Sequence, residues 1–112
     1  MARRPEFEIV EHGDPPSVIL AVRGELDMGT IGELSERVGA RLTDGVSELR
    51  LDLRELSFMD SSGLRLLIEL SDRARSEGWR LRLTPPRAEA AALVLRATGA
   101  DRALPFEDGP AT

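Results

Sequence analysis

Between residues 49 and 83 the spacing of apolar side chains changes twice, and this change limits the fold more than anything else in the chain. Leu49, Leu51 and Leu53 alternate with Arg50, Asp52 and Arg54, which predicts a strand with one buried face. From Leu64 the period lengthens. Leu64, Leu67, Ile68, Ser71 and Ala74 form a helical stripe, widened by Leu66 and Leu70, with Arg65, Glu69, Asp72, Arg73 and Ser76 on the wet face. Glu69 and Arg73 have the i,i+4 spacing of an ion pair. Gly78 is a natural helix stop, and Trp79, Leu81 and Leu83 then alternate with Arg80 and Arg82. Strand–helix–strand units this short require a crossover, so much of the sheet is expected to be parallel.

The flanking segments extend the pattern. "FEIVEH" (Phe7 to His12) alternates as a first strand, and "GDPP" (13–16) breaks it. "SVILAVRG" (17–24) is almost continuously aliphatic and suits a strand buried on both faces. "TIGE" (30–33) has the form of a capping box, and Ile31, Leu34, Val38 and Leu42 share one face of the helix that follows. After Pro85 and Pro86, "RAEAAALVLRAT" predicts a third helix burying Ala90, Leu93, Val94 and Ala97, closed by Gly99. "ALPF" (103–106) suggests a last short strand. The predicted order is β-β-α-β-α-β-α-(β). It describes one α/β domain over 1–112 with its core at about 6–107 and a flexible tail at 108–112.

Composition removes several function classes. Cys and Lys are absent, His12 is the only imidazole, and all fifteen basic residues are Arg. Thiolate and multi-His metal sites are therefore excluded, and a Ser–His or S-x-x-K nucleophile finds no support. No G-x-S-x-G elbow, P-loop or G-x-G-x-x-G fingerprint occurs, so neither an enzyme nor a cofactor is expected. A net charge of −5 with scattered Arg gives no footprint for nucleic acid. No apolar run approaches the roughly 20 residues that span a bilayer, and "MARRPEF" lacks the apolar core of a secretory signal, so the cytoplasm is expected.

What composition leaves is "MDSSG" (59–63), at the carboxyl end of a predicted strand, where open α/β sheets place ligands and partners. "GELD" (24–27) lies at the same end, in the loop that leaves the second strand. Asp60 and the serines can simply start a helix, their side-chain oxygens capping free N–H groups. The same geometry also exposes a serine beside unpaired N–H donors and the positive end of the helix dipole, where a phosphoryl group of about −1.5 to −2 charges is tolerated. Asp60, with Asp27 from the other loop, would make that patch strongly anionic.

"GELDMGT" (24–30), "LDLRELSFMDSSGLRLL" (51–67) and "ATGADRALPF" (97–106) together resemble the STAS domain, and more narrowly the small free-standing anti-sigma-factor antagonists of bacteria. The resemblance covers about residues 6–107. It implies a four- or five-stranded mixed, mostly parallel sheet with helices mainly on one face. It also implies a protein whose unmodified form binds an anti-sigma factor, usually a serine kinase, and so frees a sigma factor. Phosphorylation of Ser61 would end that binding until a phosphatase reverses it. Ser62 would support the helix start, and Asp27, Met59, Asp60, Gly63 and Leu64 would complete the contact patch. For Asp27 the alternative is a turn cap, for Met59 and Leu64 plain core. A monomer that forms a heterocomplex is expected. The alternative function is a STAS ligand-binding or scaffold module in a larger regulatory or transporter assembly.

Overall fold

The computed structural model describes residues 7–107, in the order β1 (Glu8–Asp14), β2 (Ser17–Leu26), α1 (Ile31–Thr43), β3 (Glu48–Asp52), β4 (Leu56–Met59), α2 (Ser61–Glu77), β5 (Arg80–Thr84), α3 (Glu89–Thr98) and α4 (Ala100–Ala103). The expected tail at 108–112 and most of "MARRPEF" lie outside the described residues. β1 is antiparallel to β2, with His12 opposite Ile19. β3 is parallel to the first half of β2, β5 is parallel to β3, and the sheet order is β1-β2-β3-β5. This is the mixed, mostly parallel sheet that the sequence suggested.

Two local differences bear on the site. β4, absent from the predicted order, pairs in parallel with the carboxyl end of β2 from Gly24–Leu56 to Leu26–Met59, with an irregularity between Gly24 and Glu25. The "ALPF" strand reduces to a single bridge between Phe106 and Leu83, preceded by the one-turn α4.

The strands bury alternate side chains. Val18, Leu20, Val22 and Leu26 of β2, Leu49 and Leu51 of β3, and Leu81 and Leu83 of β5 join Leu34 and Val38 of α1, Leu67 and Leu70 of α2, and Leu95 of α3 in one core. Helices therefore cover one face. β2 is consequently not buried on both faces: Ile19 is 38% exposed and Arg23 and Glu25 share its outer side with Ala21. On that outer face Glu8 pairs with Arg23, Glu48 with Arg80, and Glu107 with both Arg50 and Arg82. Opposite charges on neighbouring strands keep an uncovered face wet, each exposed pair adding no more than about 1 kcal/mol.

The helices rotate slightly from their predicted faces. In α2 the buried positions are Gly63, Leu66, Leu67, Leu70, Ser71 and Ala74, while Ile68 is 42% exposed. α3 buries Ala91 and Leu95, whereas Ala90, Leu93 and Ala97 face out and Val94 is half-buried. Arg73 pairs with Glu77 rather than with Glu69. Among the described residues, no helix is long and apolar enough to cross a membrane.

Candidate functional site

β2 and β4 run parallel, so the loops that leave their carboxyl ends emerge side by side. The Asp60 N–H donates to the Leu26 carbonyl oxygen (3.2 Å), tying the start of α2 to the end of β2. At Gly63 the helix comes closer still. A Cβ added there would lie 2.6 Å from the Leu26 carbonyl oxygen and 2.8 Å from Met59 Cγ, so only glycine permits this approach. The β2–α1 loop, with Asp27, is thereby held beside the helix start.

Asp60 is the N-cap. Its Oδ1 accepts the Ser62 and Gly63 N–H groups at 2.9 and 3.1 Å, and its carbonyl accepts the Leu64 N–H at 3.1 Å. The sequence leaves these donors open to a phosphoryl group, whereas in the structure Asp60 engages them. Ser61, the first helical residue, is exposed, and Ser62 is half-buried.

Thr30 does not form the expected capping box, since its side chain makes no cap hydrogen bond. It turns back into the loop instead. Buried to 3% exposure, its hydroxyl donates to the Glu25 carbonyl oxygen (2.8 Å) and accepts the Asp27 N–H (3.0 Å). Asp27 Oδ1 accepts the Gly29 N–H at 2.9 Å, so Asp27 does cap its turn, as one of its two sequence readings held. The β2–α1 loop is therefore braced from within rather than slack.

The remaining sequence candidates divide by depth. Met59 is fully enclosed and Gly63 is buried, so neither presents a surface. Leu64 is partly buried against the core. Two residues absent from the sequence reading do present apolar surface at this end of the sheet: Met28, 75% exposed beside Asp27, and Phe58, 39% exposed opposite Glu25. The available signal for Met28 was an unbranched apolar side chain stranded in a polar loop. Between α1 and α2 a groove of about 320 Å³ is lined by Ile31, Gly32 and Ser35 on one side and Ser62, Arg65, Leu66 and Glu69 on the other.

His12 stands opposite Ile19, and Met59 opposite Leu26. Seven residues of strand, roughly 23 Å, thus separate the imidazole from the serines. Among the described residues, no group of three His, Asp or Glu side chains could hold a metal ion.

A family model described as "Mlab, STAS domain" matches residues 10–105. Osmosensory protein A of Mycobacterium tuberculosis is 34% identical over 71 residues, 62% of this chain and 44% of that protein. The anti-sigma-B factor antagonist of Staphylococcus aureus is 40% identical over 47 residues, 42% of this chain and 44% of that one. The chain thus spans less than half the length of either relative in these matches. Among solved structures, the anti-sigma factor antagonist SpoIIAA in its unphosphorylated form superposes with a TM-score of 0.74 at 22% identity, over 94% of this chain and 89% of that one. At that identity the likeness concerns the fold.

Proposed function

Because the chain belongs to the STAS domain family, we propose that it is an anti-sigma-factor antagonist switched by phosphorylation of Ser61. The unmodified protein, a cytoplasmic monomer, docks on an anti-sigma factor that is itself a serine kinase, and a phosphatase reverses the modification. Ser61 carries the reading: an exposed hydroxyl on the first residue of a 17-residue helix, beside the Asp27 loop and against a rigid cap. A kinase can reach such a hydroxyl without unfolding anything. Names among the relatives and structural neighbours support the partner class.

In this reading Met28, Phe58, Leu64 and Asp27 supply contact around Ser61, while Met59, Asp60, Ser62 and Gly63 hold the helix start in place. Phosphorylation adds about −1.5 to −2 charges beside Asp60 and Asp27, which repels a partner fitted to the unmodified patch.

The test pairs wild type with Ser61→Asp as baits and identifies what only wild type retains. Expected is an anti-sigma kinase that binds Ser61→Asp roughly tenfold or more weakly, with little change in melting temperature. With ATP, that kinase adds one phosphate to wild type and to Ser62→Ala but none to Ser61→Ala. Modification of Ser61→Ala in the intact mass, or equal affinity for Ser61→Asp, would falsify the assignment.

A further inference from the structure

A phosphoryl group on Ser61 meets a helix end at which Asp60 already engages three of the backbone donors. Asp60 holds the Ser62, Gly63 and Leu64 N–H groups, and its carboxylate repels a second anion. A cation within reach would therefore stabilise the new charge most. We propose that Arg65 is the built-in counter-ion of phosphorylated Ser61; this rests on the reading of Ser61 as the acceptor.

Arg65 stands four residues after Ser61 on α2, so the two share one strip of the helix surface, with Cβ atoms about 5–6 Å apart. Helical side chains lean toward the amino end, which carries a long Arg65 side chain over the turn holding the serines. It already lines the same groove as Ser62. Arg65 is exposed and, among the described residues, makes no ion pair, whereas Arg73 and Arg75 on the same helix are engaged by Glu77 and Asp72.

Glu69 is the competing partner, four residues further on and lining the same groove. An anion that precedes the cation by four residues is the better i,i+4 order, so phosphoserine 61 is favoured over Glu69. Among the described residues, Asp60 and Asp27 on the adjoining loops are both acidic, and α1 lines the groove with uncharged Ile31, Gly32 and Ser35.

The consequence is chemical. The second pKa of phosphoserine lies near about 6, so an isolated group is partly monoanionic around neutrality. Asp60 and Asp27 push that value up, and Arg65 pulls it back down. The modification then delivers close to its full charge under ordinary conditions.

Phosphoserine placed at position 61 during translation makes the test independent of any kinase. Phosphorus NMR titration of wild type, Arg65→Gln, Arg65→Lys and Arg73→Gln reads the phosphate directly. The second pKa is expected to lie about 0.15–0.4 unit higher in Arg65→Gln than in wild type. It should be restored in Arg65→Lys and unchanged in Arg73→Gln, and the difference should shrink toward zero near about 1 M salt. Coincident curves for wild type and Arg65→Gln would overturn the counter-ion. A kinase that ignores Ser61 would instead overturn the acceptor reading, and the titration separates the two failures.

Discussion

Gly63 and Gly39 are both helical glycines, yet alanine should act on them with opposite sign. At Gly63 the methyl group meets the Leu26 carbonyl, a backbone atom held in place by pairing with β4. Gly63→Ala is therefore expected to lower stability by about 1–3 kcal/mol, because overpacking against backbone has no cheap relief. At Gly39 in α1 nothing lies within 4 Å of the added atom. Gly39→Ala should raise stability by about 0.5–1 kcal/mol through helix propensity and a less flexible unfolded chain. Urea midpoints of the two variants decide the matter, and equal shifts would remove the account of the close approach. In sequence Gly63 reads as a residue that allows close packing at the helix start, and the structure bears this out, but the neighbour it approaches could not be seen. The constraint comes from Leu26, far away along the chain.

The elements show where periodic patterning informs and where it fails. α2 has charged residues on one side, so its inner face was legible to within one position, Ile68. α3 carries "EAAALVL", apolar almost all round, and such a segment cannot state which side faces the sheet. Packing chose Ala91 and Leu95, leaving Leu93 53% exposed. Leu95→Ala should cost about 2–5 kcal/mol, whereas Leu93→Ala should stay within about 0.5 kcal/mol of wild type, as thermal melts will show. β4 was illegible for another reason. Its four residues bury only the first and last, so the alternation that marks a strand never develops. The Asp60 cap, in contrast, needs nothing beyond its own three following residues, and sequence placed it correctly.

At the scale of the whole molecule, the Asp52 carboxylate links stability to pH. Asp52 ends β3, and its carboxyl is held below the ordinary 3.8, chiefly by hydrogen bonds from the Arg54 side chain and less by the Arg54 N–H, against the opposing effect of burial. A carboxylate depressed in the folded state adds stability that is complete above its unfolded pKa and is lost as pH falls through the lower folded value. Asp52→Asn should thus cost about 0.5–1 kcal/mol at pH 7, a gap that closes as the pH falls below the ordinary 3.8 in urea melts. A gap unchanged at acid pH would place the effect in packing instead. The architecture also separates two ends. Ser61 opens α2, and the 17 residues of that helix carry the chain about 25 Å before Gly78 turns it toward Trp79. Trp79 is the sole tryptophan in a chain without tyrosine, its indole N–H held by Glu77 at 3.0 Å. Intrinsic fluorescence consequently watches the far pole: it follows unfolding and stays dark to events at Ser61, so an optical binding assay needs a dye placed near Met28.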